Sequence, residues 1–269
     1  MDATLSPSLL QRLEPFRLPA LHLVGTEGPT NSRLGGQPLV PIGFEWPHFE
    51  GKQLPFIAQI DLEALPETEG IPRLPSSGLL SIFCDFEASE WGEDPDAKES
   101  WRVFHFNVPM SELVAAQYPE ELEEACRSIP KYIGFKPVSA FPPTVSPEIS
   151  KIFLEENVEN DYEVFEFPYE GQPMHHLFGH PELEQDYDIR ESCERGYRRI
   201  PYDAPEPEYP SEIEEFKAAQ SQWKLLVQIH SDRDAGFMWG DFGKLYFCIR
   251  EEDLAVANFN DVWMVMQCG

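Results

Sequence analysis

Apolar residues in this chain come in short blocks set apart by proline-rich polar stretches. Residues 55 to 61, 78 to 86 and 101 to 108 read as strands, with few charges before their ends. The third, WRVFHFNV, puts Trp101, Val103, His105 and Asn107 on one face and Arg102, Phe104, Phe106 and Val108 on the other. Neither face is purely apolar, which suits a strand covered on both sides. Strands follow at 224 to 230 and 244 to 250, joined by DRDAGFMWGDFG, and DVWMVMQC near the end reads as one more.

The helical signals are fewer. Ser6-Pro7 ahead of Leu9, Leu10 and Leu13 predicts a short helix with proline at its first position. Residues 111 to 128 read as helical with a break at Tyr118-Pro119. Ser146-Pro147 opens another helix, with Ile149, Ile152 and Phe153 on one side, and Ser211-x-x-Glu214 forms a capping box. Residues 21 to 50 are turn-rich, and the prolines at 130, 137, 142, 143 and 147 mark a connection. Strands dominate and helices are interspersed without regular alternation. The fold class this predicts is α+β, β-rich, with mostly antiparallel sheets.

The pattern also repeats. LGGQP (34 to 38), PFIAQID (55 to 61) and SGLLSIFCD (77 to 85) are echoed by LFGHP (177 to 181), KLLVQIHSD (224 to 232) and FGKLYFCIR (242 to 250). Gln59 and Gln228 fall at matching places, as do Gly78 and Gly243. A diverged internal duplication predicts a lead-in at 1–33, a first repeat at 34–130 and a second at 131–269. Together these form one pseudo-symmetric unit with a groove where the halves meet.

Composition narrows the function. The 269 residues are 42% hydrophobic and 13% aromatic, enough for a packed core. The net charge is −28, from 48 Asp and Glu against 20 Lys and Arg. Such a charge repels nucleic acid and anionic membranes and favours a basic protein partner. Between residues 155 and 216 there are 19 acids against 4 arginines, either a solvated acidic surface or a docking face. No stretch approaches the length of a membrane span, and MDATLSPSLLQRLEPF lacks the basic start and apolar core of a secretory signal. The five cysteines (Cys84, Cys126, Cys193, Cys248 and Cys268) are scattered, with no Cys-x-x-Cys pair. Reduced thiols in a cytoplasmic protein are expected.

Motifs for chemistry are weak. His176 and His180 in MHHLFGH are four apart, but Gly179 and Pro181 would end a helix there and a third metal ligand is missing. Asp232-x-Asp234-x-Gly236 starts like a calcium loop yet has Phe237 and Gly243 where glycine and glutamate are needed, so a hairpin loop is the better reading. No phosphate-binding loop and no Gly-x-Ser-x-Gly elbow is present, and Cys193 as a nucleophile lacks a partner in sequence. No cofactor, metal or catalytic residue is assigned. In FMWGDF, Trp239 either forms a recognition patch or tucks into the core, and Asp241 either binds or caps a turn. Gln59 and Gln228, inside apolar strands, must satisfy their amides through backbone or a ligand.

These segments carry a resemblance. His176-x-x-Gly179-x-Pro181 with Gln185, Cys193-Glu194, LLVQIHSD, MWGDFGKLYFCI, Asp253-Leu254, Asn258-Phe259 and the terminal VWMVMQC resemble the YwqG-like family, a functionally uncharacterised bacterial group. The likeness runs from Gly35 to Gln267. It implies an α+β, β-rich fold with an internal duplication and carries over no catalytic residue. LGGQP, PFIAQI and LSIFCD are also distantly similar to the programmed-cell-death-protein-two group, eukaryotic chaperones of a ribosomal protein. That likeness implies protein or peptide binding with a basic client. The cysteine pairs of that group are missing here, so no zinc module is implied.

The expectation is a non-enzymatic cytoplasmic protein- or peptide-binding module. It would hold a basic partner segment on the acidic face or in the inter-repeat groove. Candidate binding residues are Gln59, His176, Gln185, Gln228, Asp232, Trp239 and Asp241. One alternative is an enzyme or small-ligand binder with His176, Gln185, Asp232 and Asp241 around a cleft. Another is an acidic immunity or inhibitor protein.

Overall fold

The computed structural model describes residues 7–143, 146–156, 174–201, 204 and 210–269. Strands β1 (Leu18–Gly25), β2 (Arg33–Leu34), β3 (Leu39–Pro41), β4 (His48–Phe49), β5 (Lys52–Gln53), β6 (Phe56–Asp61), β7 (Leu79–Cys84), β8 (Trp101–Phe106), β9 (Leu113–Ala115) and β10 (Lys131–Ala140) make up the N-terminal part. The rest carries β11 (His176–Phe178), β12 (Trp223–His230), β13 (Lys244–Arg250) and β14 (Trp263–Gln267). The described helices are α1 (Pro7–Leu13), α2 (Pro147–Glu156), α3 (Ile189–Tyr197), α4 (Pro210–Gln220) and α5 (Glu251–Ala255).

Ten strands form one antiparallel sheet in the order β14-β13-β12-β11-β1-β10-β2-β6-β7-β8. The order is a palindrome about the central β1–β10 pair. β2, β6, β7 and β8 run outward on one side, and β11, β12, β13 and β14 run outward on the other. The lead strand of each half is exchanged: β1 pairs with β11 of the second half, and β10 pairs with β2 of the first. Backbone bonds repeat across this pseudo-dyad. Leu23 N–H donates to the carbonyl of His175, and Ile133 N–H donates to that of Ser32. Val24 faces Gly134 at the point where the two lead strands are equivalent.

The duplication extends to irregularities. β6 has a bulge between Phe56 and Ala58, and β12 has one at the matching place, between Leu225 and Val227. Gly35 and Gly36 have φ of 61° and 71°, and Phe178 and Gly179 repeat this turn at 58° and 72°. Phe178 holds a backbone conformation that suits glycine, and it does so fully packed in the core. Gly78 and Gly243 are required by a shared close approach. A Cβ on Gly78 would lie 2.7 Å from the carbonyl oxygen of Phe106, and one on Gly243 would lie 2.2 Å from that of Gln267.

Two central strands contain proline. Pro137 faces Leu21, and Pro19 faces Ser139. Thr26 N–H donates to the carbonyl of Tyr132, which sets the phase of the ladder: in β1 and β10 the odd-numbered residues turn their N–H groups away from each other. Pro137 therefore turns its nitrogen toward the β2 side, where β2 reaches only Lys131 and Tyr132. Pro19 likewise lies beyond the Ala20–Phe178 pair that ends β11. Neither proline costs the ladder a bond.

The sheet curls until its ends meet, closing nearly into a barrel. Trp101 on β8 and Trp263 on β14 pack edge to face at 5.3 Å. The main core fills the interior with Leu, Ile, Val and both tryptophans. As its mixed pattern suggests, β8 is covered on both sides: Trp101 and Val103 face the main core, and Phe104 and Phe106 join Phe44 and Phe83 in aromatic clusters outside it. α3 lies on β14, where Gly196 sits so close to the Trp263 ring that a Cβ would overlap it.

Two expectations are corrected. Residues 111 to 128 are not a helix: short turns flank β9, which pairs with β3. Pro109 and Pro119 bracket the segment, and strand pairing overrides the helical propensity of its Glu, Leu and Ala residues. The helix α4 starts at Pro210, one residue before the predicted cap position Ser211. α1 forms as expected, and its predicted cap, Ser6, lies outside the described residues. α2 buries Ile149 and Ile152 against Leu9 and Leu13 of α1.

Candidate functional site

The two glutamines perform one task twice. Gln59 Oε1 accepts from Leu39 N–H at 2.9 Å and its Nε2 donates to the Leu39 carbonyl at 2.8 Å. Gln228 Oε1 accepts from Glu182 N–H at 2.9 Å, and its Nε2 donates to the Met174 carbonyl. Leu39 and Glu182 are the residues just after Pro38 and Pro181. Each glutamine thus pins the arm that follows the turn of its own half. Both are fully buried.

One polar cluster of the second half joins the start of β10, the residue before β11 and the β12–β13 hairpin. Asp232 accepts from Lys131 Nζ at 2.6 Å and from His175 Nε2 at 3.0 Å, both on Oδ2. Its Oδ1 accepts from Asp234 N–H, and its backbone pairs with Phe237 to close the hairpin. Burial opposes ionisation of Asp232, but the hydrogen bonds from His175 and Lys131 outweigh it and hold the carboxyl well below the usual range. His175 Nδ1 accepts from His230 N–H at 3.1 Å, so the ring proton sits on Nε2. Burial lowers the His175 pKa, against the Asp232 hydrogen bond that raises it. With both nitrogens engaged, this imidazole has no lone pair left for a substrate proton. In the first half, Ser32 Oγ does the same work by accepting from Asp61 N–H.

His176 is fully buried, with Nδ1 donating to the Phe178 carbonyl at 2.8 Å. It faces His22 across β1 and β11 and Gln228 across β11 and β12. Burial pulls the pKa of both His176 and His22 down to about 4. Gln185 is half-buried, and its N–H donates to Gln267 Oε1. Trp239 is buried against Phe86 and Phe237, and its backbone N–H donates to Ser231 Oγ. Asp241 is exposed on the same hairpin. Of the seven candidates, His176 and Gln228 are thus neighbours and Asp232 and Trp239 share a hairpin, while Gln59 belongs to the other half.

Three polar assemblies escaped the sequence reading. Lys131 and His175 complete the Asp232 cluster. Lys244, only 2% exposed, pairs with Glu184 at 2.5 Å and Glu182 at 3.3 Å. Glu194 on α3, fully buried, accepts from Arg198, Arg250 and the indole of Trp223. A charged residue in an otherwise apolar stretch, such as Lys244 ahead of LYFCI, was the available signal.

Among the described residues, no group of three or more His, Cys, Asp or Glu side chains is placed to hold a metal ion. No described helix is long and apolar enough to cross a membrane. The five cysteines are free thiols, four of them buried. Of the acidic run 155–216, residues 157–173, 202–203 and 205–209 lie outside the described residues.

A doubled, strand-exchanged antiparallel sheet with structurally committed polar groups defines an α+β, β-rich protein. Residues 32–268 match the model of a family described as Domain of unknown function (DUF1963), and the chain belongs to that family. No curated protein matches it.

Proposed function

We propose that this chain is a non-enzymatic, cytoplasmic protein- or peptide-binding module that holds a basic segment of a partner against its acidic surface. The observation that carries this reading is a charge imbalance the fold does not relieve. Twenty cations cannot neutralise forty-eight carboxylates. At least eleven of those cations already stand in ion pairs within the chain: Arg12, Arg17, Arg102, Lys131, Arg190, Arg195, Arg198, Arg199, Lys224, Lys244 and Arg250. A field of that sign speeds encounter with a basic chain and repels acidic ones.

Two further points support it. His175 spends both ring nitrogens on the fold, which weighs against acid–base chemistry there. The resemblance to the programmed-cell-death-protein-two group points to peptide binding with a basic client, and the resemblance to the YwqG-like family is compatible with it. Free thiols suit a reducing compartment.

The test is capture from native lysate on the immobilised protein, with elution by salt. The expected result is a small set of basic proteins released as salt approaches about 0.5 M, where screening shortens to a few ångströms. Retention of acidic or neutral proteins indifferent to salt, or an empty column, would overturn the reading.

A further inference from the structure

The two halves differ in what flanks the glutamine-held arm. In the first half the arm is β3, and β9 pairs with it as a two-stranded ribbon detached from the main sheet. In the second half, among the described residues, the segment after Pro181 pairs with no strand, and the Glu182 carbonyl accepts from Tyr246 Oη instead.

The ribbon's bonds fix which groups face outward. Ile42 N–H donates to the Glu112 carbonyl, and Ala116 N–H donates to the Pro38 carbonyl. Residues 39 and 41 on β3, and 113 and 115 on β9, therefore turn their backbone groups away from the partner strand. The β3 edge is closed: Gln59 takes both polar groups of Leu39, Pro41 has no N–H, and the Pro41 carbonyl accepts from Phe44. The β9 edge is not. Leu113 N–H turns back to Met110, while the Leu113 carbonyl and both backbone groups of Ala115 have no partner among the described residues.

Apolar surface and charge surround this open edge. Val114 is 46% exposed, Ile42 74% and Met110 46%. Glu112, Glu120, Glu121, Glu123 and Glu124 are exposed along the same stretch of chain, which has no Lys or Arg between Arg102 and Arg127. Arg127 is spent inward on the carbonyls of Pro119, Glu120 and Leu122. A second copy of this chain, carrying the same −28, would be repelled.

We infer that the outer edge of β9 takes up an extended cationic segment of a partner chain as a third strand. Main-chain bonds to Leu113 and Ala115 would fix its register, an apolar side chain would cover Val114, and basic side chains would meet the carboxylates. This inference rests on the basic-partner reading and locates it.

The experiment uses the full-length protein and a short fluorescent peptide of alternating valine and lysine. Affinity is read by anisotropy, and amide exchange is followed residue by residue. The expected result is salt-sensitive binding with slowed exchange of the Ala115 amide. Ala115→Pro should weaken binding about tenfold, the loss of one backbone bond with its packing. That variant leaves the ribbon intact, because the Ala115 N–H points away from β3. The exchange measurement on unaltered protein stands independently of it. Binding that protects other amides and ignores Ala115→Pro overturns the β9 assignment and leaves the acidic-surface reading in place. No binding of the peptide at any site overturns both.

Discussion

Trp101 and Trp263 each donate their indole N–H to a backbone carbonyl of the opposite half. Trp101 bonds Val262 O at 2.9 Å, and Trp263 bonds Gly92 O at 2.9 Å. The rings themselves meet at 5.3 Å, so the ends of the ten-stranded sheet are joined by two hydrogen bonds and one aromatic contact. Trp101→Phe should destabilise by about 1–3 kcal/mol, since it leaves a buried carbonyl without its donor. Trp263→Ala should cost about 3–5 kcal/mol, as for other large core truncations. A double-mutant cycle by urea unfolding should give a coupling of about 0.5–1.5 kcal/mol. Zero coupling would mean that the two rings do not act as a clasp.

Gln59→Leu and Gln228→Leu should each lose about 1–3 kcal/mol, because each leaves two backbone groups without the side chain that satisfies them. The two sites lie in different halves and share no partner, so their effects should add to within about 0.5 kcal/mol. Chemical denaturation of the two single variants and the double variant checks both statements.

Stability should fall between pH 6.5 and 4. The pKa of His22 and His176 is about 4 in the folded chain, chiefly through burial. In the unfolded chain each returns to about 6.5. Protons therefore bind the unfolded state more readily in this window, and the contribution of these rings is complete only above pH 6.5. Each histidine should add about 1.4 kcal/mol per pH unit to the slope within the window. Asp232, depressed in the fold, contributes its loss only below about pH 4. His22→Leu should remove roughly one proton's share of the slope in urea midpoints measured from pH 7 to 5.

Glu194→Ala should destabilise by about 3–5 kcal/mol, since it removes the buried acceptor shared by Arg198 Nε, Arg250 Nη1 and the Trp223 indole N–H. Glu194→Gln, which keeps an acceptor in place, should lose less. Thermal melts of the two variants would reveal the difference. Equal losses would mean that the charge matters and the hydrogen bonds do not.

The strands with uninterrupted apolar runs, β6, β7, β12, β13 and β14, were legible because their burial on both faces is written into consecutive residues. The doubling was legible for the same reason. β1 and β10 were not, since Pro19 and Pro137 signal loops unless one knows that their nitrogens face open ladder edges. β9 was masked by residues that favour helices, and only its pairing with β3 decides the matter. Gln59 and Gln228 stood out as amides among apolar neighbours, but their partners, Leu39 and Glu182, are set by tertiary approach. The Lys131–Asp232–His175 cluster had no local signature at all, because it gathers residues from three separate parts of the chain.

The exchanged lead strands bear on how the molecule is made. β1 is synthesised early, yet its neighbours are β10 and β11, both encoded beyond residue 130. While the first half emerges, β1 has no ladder to join, and β2 has only β6. The sheet cannot complete half by half in the order of synthesis. Completion waits for the second half to arrive, as a zip fastener waits for its second row of teeth. Loop closure over that distance makes assembly slow relative to a fold built from local contacts. A chain cut between the halves would leave two fragments, each holding a strand that belongs in the other's sheet.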